Sequence, residues 1–105
     1  MKAGSLRHRV KIQQPVETVD STGTTQVKWV DVAETWASIE PLEGREFFAA
    51  KQINPEVQGR IRIRYRDEIT PKDRVVYNGR EFDILAILNR EERNIELELL
   101  VNEPI

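Results

Sequence analysis

Cysteine is absent from the 105 residues. Its absence excludes a disulfide framework and thiolate chemistry and fits a reducing compartment. Histidine occurs once, as His8. Without a cysteine or a second histidine it makes a poor transition-metal site. Its place on the apolar face of an alternating segment gives it a structural reading. The five glycines, at positions 4, 23, 44, 59 and 79, are scattered, so no glycine-rich phosphate loop exists. No apolar run approaches the roughly 18 residues of a membrane helix. Met1-Lys2-Ala3-Gly4 leads into charge with no apolar h-region, so no signal peptide is expected and the chain reads as soluble and intracellular. Excess charge of one sign is lacking too: 16 basic residues face 18 acidic ones, for a net charge of −2. That balance argues against a dedicated nucleic-acid binder and leaves room for a local basic stripe.

Candidate chemistry is equally sparse. The serines at 5, 21 and 38 lie in no nucleophile-elbow pattern. The acidic pairs Asp67-Glu68 and Glu91-Glu92 fall in turns, outside any metal-loop spacing. The expectation is a protein that is not an enzyme and needs no cofactor or metal.

What the chain has is alternation. Leu6, His8, Val10 and Ile12 interleave with Arg7, Arg9, Lys11 and Gln13, which reads as a strand with Pro15 near its end. Asp20-Ser21-Thr22-Gly23-Thr24-Thr25 is a turn cluster. Residues 26–40 then form a long segment rich in β formers, whose alternation slips between Trp29 and Trp36; a bulge is expected there, and the turn before it should cap a protruding hairpin. Between Pro41 and Gly59 the β pattern breaks. Residues 43–53 carry helix-friendly residues with Phe47, Phe48, Ala50 and Ile53, too short for a stable isolated helix. This insertion reads as a short packed helix or an ordered loop. Phe47 and Phe48 are expected to anchor it while its polar parts stay mobile.

From Gly59 onward Ile61, Ile63 and Tyr65 face one way, and Arg60, Arg62, Arg64 and Arg66 the other. Asn78-Gly79 signals a type I′ hairpin turn leading to Phe82, Ile84, Ala86 and Leu88. Ile95, Leu97, Leu99 and Val101 alternate with Glu96 and Glu98 in a last strand. About six short-spaced strands and one insertion suit a mainly β, single-domain chain, residues 1–105, built as a small antiparallel barrel.

The arginine face admits three readings. Glu96 and Glu98 could lie opposite it as exposed cross-strand pairs of about 0–1 kcal/mol each. It could contact a neighbouring subunit, because arginine suits interface ion pairs. It could contact nucleic-acid phosphates, although Tyr65 points to the other face and cannot stack bases beside the guanidiniums.

Taken in order, Gly4-Ser5-Leu6-Arg7-His8-Arg9-Val10, Trp29, Trp36-Ala37-Ser38-Ile39-Glu40-Pro41-Leu42, Gly44-Arg45-Glu46, Ile61-Arg62-Ile63-Arg64-Tyr65-Arg66, Ile69-Thr70-Pro71 and Tyr77-Asn78-Gly79-Arg80-Glu81-Phe82 form a succession. It resembles the phage head–tail joining family, also called head-closure, stopper or adaptor proteins, over nearly the whole chain. The resemblance implies a phage or prophage virion protein made in the bacterial host cytoplasm and placed at the head–tail interface. It implies a homo-oligomeric ring, monomeric in isolation, between portal-side connector and tail proteins. Packaged DNA would pass non-specifically through the ring, no membrane would be involved, and the 41–59 insertion would project toward the channel. Arg60, Arg62, Arg64, Arg66, Arg45 and Lys51 are the candidate subunit or channel contacts. A nucleic-acid-binding barrel and a tail-completion protein are the competing expectations.

Overall fold

Period-two alternation needs a closed interior to bury its apolar half, and six antiparallel strands supply one. In the computed structural model, which describes residues 6–89 and 92–104, the elements are β1 His8–Val19, β2 Thr25–Pro41, α1 Gly44–Ile53, β3 Gly59–Arg64, β4 Arg74–Tyr77, β5 Arg80–Leu88 and β6 Glu96–Asn102. They close in the order β1-β2-β3-β6-β5-β4. The expected barrel of about six strands is therefore what forms, the insertion takes the helical one of its two expected forms, and closure removes the free edges of the barrel itself.

Val10, Ile12, Ala37, Ile61, Ile63, Val75 and Leu99 are fully buried inside. The interior is filled by β-branched and leucine side chains, as in small barrels generally. A second apolar cluster lies outside the sheet. Leu42, Ala50, Val57 and Leu100 are buried together, with Phe47, Leu85, Ala86 and Leu88 packed on them. It docks α1 across the outer face of β5 and β6. A ten-residue helix is marginal alone, and Glu43 gives it no side-chain cap, so this packing is what holds it. Leu97 through Val101 are consequently all buried, on both faces of β6 rather than on one. Glu98, expected on a solvated face, is only 8% exposed.

Two turns follow the local chemistry. Asn78 and Gly79 both take positive φ, 51° and 78°, as the hairpin between β4 and β5 requires. Asp20 ties the β1–β2 turn. Its Oδ1 accepts from Thr22 N at 2.9 Å, Thr24 N at 2.8 Å and Thr22 Oγ1 at 2.7 Å. Those bonds, the Thr22 hydroxyl foremost, hold its carboxyl below the usual range.

Two boundaries and one burial differ from the sequence expectation. β1 does not stop near Pro15 but runs to Val19, with Pro15 opposite Trp29. Beyond Gln13, β1 has no neighbour but β2 among the described residues, so its other edge asks no amide of a proline. β3 ends at Arg64, so Arg66 is not a strand residue. Phe48 is 68% exposed: its ring meets Phe47 edge-on at 5.8 Å but is not buried against the barrel.

β3 pairs with β2 only at Ala37–Pro41, and β4 pairs with β1 only at Lys11–Gln13. The rest of the β1–β2 hairpin projects as a two-stranded arm. The long dimension of the molecule, 49 Å against 28 and 27 Å, exceeds the others by about the 20 Å that six strand residues span. A register shift pairs Ile12 with Ala33 and Gln13 with Asp31, leaving Val32 unmatched at the base of the arm, inside the segment where the alternation slipped.

Ile63→Ala should cost about 2–5 kcal/mol, because the side chain is fully enclosed. Phe48→Ala should stay within about 0.5 kcal/mol. Urea unfolding of both variants checks the contrast.

Candidate functional site

The outward face of β3 lies between β2 and β6. Arg60 is opposite Glu40 and Leu100, Arg62 opposite Ser38 and Glu98, and Arg64 opposite Glu96. Glu40 bridges the first two arginines. Arg60 Nη2 lies 3.3 Å from Glu40 Oε1 and 3.3 Å from Glu46 Oε2. Arg62 Nη1 lies 3.6 Å from Glu40 Oε2, and its Nη2 lies 3.2 Å from Glu96 Oε2. The Arg60 side chain is 12% exposed and that of Arg62 26%, so these pairs are partly withdrawn from water. Burial works against the Arg60 charge, yet Glu40, Glu46 and Glu98 outweigh it and hold the guanidinium pKa above its ordinary value. The Nε atoms of both arginines and Glu40 Oε2 are buried without hydrogen bonds among the described residues. Such a network orients strands and helix more than it adds net stability.

The four arginines expected on one face are thus divided. Arg60 and Arg62 are bound into the sheet, and Arg60 reaches Glu46 on α1. Arg64 is exposed and makes no ion pair among the described residues. Arg66 lies in the following turn, with Nε donating to Glu68 Oε1 at 2.6 Å; that bond lowers the Glu68 pKa. On the insertion, Arg45 is exposed and makes no ion pair among the described residues. Lys51 Nζ donates to Pro55 O at 2.7 Å and sits 5.2 Å from the centre of the Phe47 ring. Phe47 is half-buried against the cluster beneath the helix.

Sequence reasoning named Glu96 and Glu98 as partners but missed Glu40 and Glu46. Glu40 was legible as the outward residue between Ile39 and Pro41; Glu46 becomes a partner only once α1 docks. It also missed the aromatic–cation contacts at the root of the arm. The Arg74 guanidinium lies 4.2 Å from the centre of Trp29, held by Gln13 Oε1 and Glu81 Oε2, each at 2.8 Å. The Arg9 guanidinium lies 5.4 Å from Trp36. At one barrel mouth Arg80 grips Glu103 through two bonds of 2.9 and 2.8 Å beside a cavity of about 230 Å³. His8 Nδ1 lies 2.9 Å from the Tyr77 hydroxyl, a link between strands. Among the described residues no group of His, Cys, Asp and Glu could hold a metal, and no helix is long and apolar enough to cross a membrane.

Residues 1–104 match the family model of the phage head completion proteins. The chain belongs to that family. Its members are structural proteins of the virion. The head completion protein gp16 of Bacillus phage SPP1 is 31% identical over 71 residues, 68% of this chain and 65% of its own length, so the match spans just under two thirds of that relative. The solution structure of protein SF1141 from Shigella flexneri 2a superposes with a TM-score of 0.75 at 29% identity, covering 98% of this chain and 96% of that one. A chain of the virion of a native gene transfer agent particle shares the fold, with a TM-score of 0.63 at 19% identity over 95% of this chain and 96% of that one.

Glu40→Ala leaves two half-buried guanidiniums without their common carboxylate and should cost about 1–3 kcal/mol. Arg64→Ala should be neutral within about 0.5 kcal/mol. Thermal and urea unfolding distinguish the two.

Proposed function

We infer that this chain is a non-enzymatic head-closure subunit. Copies assemble as a ring between the portal-side connector and the tail, and the ring helps to retain packaged DNA. The observation that carries the reading is the family match over residues 1–104. The printed name of the SPP1 relative, a head completion protein, supports the same role. The surface supports it as well. The arginine face of β3 is largely neutralised by the chain's own glutamates. A near-neutral wall lets DNA pass, whereas an unneutralised row of guanidiniums would hold it by counterion release.

The competing reading, a nucleic-acid-binding barrel, would have to rely on the exposed guanidiniums of Arg45 and Arg64. Two phosphate contacts give a log–log salt slope of about −2, so binding to a short duplex should vanish at physiological salt. Micromolar affinity there, lost on replacing Arg45 and Arg64, would favour that reading instead.

Electron microscopy of particles assembled without this protein tests the head-closure role. Filled heads that lose DNA and carry no tails are expected. Stable, DNA-filled, tailed particles would overturn it.

A further inference from the structure

Residues 14–19 and 25–31 form a ribbon that no third strand joins among the described residues. A lone two-stranded hairpin is marginal in water, and exposed strand edges invite association unless they are blunted. This arm is nevertheless built: Asp20 ties its tip, and Arg74 stacks on Trp29 at its root. Near the tip, one face presents Val19, 69% exposed, and Val27, 54% exposed. Glu17, directly opposite Val27, shares that face. It is exposed and makes no ion pair among the described residues.

A patch of complementary character lies at the other end of β2. Arg45, Phe48, Ala49 and Gln52 follow helical spacing along the outer side of α1, and all are exposed. Phe48 is 68% exposed, and Arg45 makes no ion pair among the described residues. One patch is apolar with an unpaired acid, the other apolar with an unpaired base. The arm takes up the start of the 17-residue β2, and α1 follows its end. At about 3.3 Å per residue, the two cannot meet within one molecule.

We propose that the arm tip of one copy, through Val19, Val27 and Glu17, seats on the outer face of α1 of the next copy, through Phe48 and Arg45. Different patches in contact make a heterologous interface, which closes into a ring when the rotation permits. The proposal rests on the ring reading above and adds which surfaces carry it. An arm face about 20 Å long and two strands wide covers on the order of 200 Å², well below the roughly 800 Å² per partner of a stable complex. The contact therefore forms where neighbouring proteins already hold the copies side by side, and the free chain stays monomeric.

Because the native chain has no cysteine, an introduced pair reports without background. Particles are assembled with the Val27→Cys, Phe48→Cys double variant, oxidised, and run on a denaturing gel. A ladder of multimers is expected, while each single-cysteine variant alone gives none. Glu17→Arg should lower the ladder yield about tenfold, and adding Arg45→Glu should restore it. Particles that hold several copies yet give no ladder, or an arm cross-linked to a different protein, overturn the proposal and leave the ring reading standing. Particles holding a single copy overturn both.

Discussion

β3 hydrogen-bonds to β2 on one side and β6 on the other, and the barrel closes through that strand. Its inward residues Ile61 and Ile63 are fully enclosed. Its outward residues Arg60 and Arg62 are clamped by Glu40 and Glu96 from the flanking strands. Gly59 begins the strand where the backbone passes close to β2: a Cβ there would lie 3.2 Å from the Glu40 carbonyl oxygen. One short strand thus sets the core, the charge ladder and the approach of the chain from the helical insertion.

The helix depends on this arrangement. It is short and uncapped by a side chain, and it stays in place because Leu100 and Leu88 point outward beneath it and Arg60 reaches Glu46. The same docking covers the outer face of β6 and draws Glu98 out of solvent. An outer layer on one side of a small barrel, and a free-standing arm on the other end of β2, give the chain two unlike surfaces.

Much of the fold was legible because it is written in short-range terms. Alternation marked the strands, Asn78-Gly79 marked a hairpin, and the slip between Trp29 and Trp36 marked the bulge at Val32. The errors share a cause. Pro15 was read as a strand end, but a proline stops a strand only where a neighbour needs its amide. Arg66 was read as a strand residue from pattern alone, although β3 ends at Arg64 and the chain turns. Phe48 was grouped with Phe47 on hydrophobicity, whereas one helical step of about 100° separates a packed ring from an exposed one.

By itself, then, the sequence determined the strand periodicities, the turns and the type of residue on each strand face, because backbone geometry makes these local properties. The tertiary structure alone decided which strands are neighbours beyond the two hairpins. Strand order turned Arg60 and Arg62 from a free basic stripe into ion pairs with Glu40, Glu46 and Glu96, residues 14 to 34 positions away in sequence. It left the β1–β2 arm without a third strand. Pairing is a long-range choice, made by closing the barrel around its apolar interior, and no local pattern encodes it.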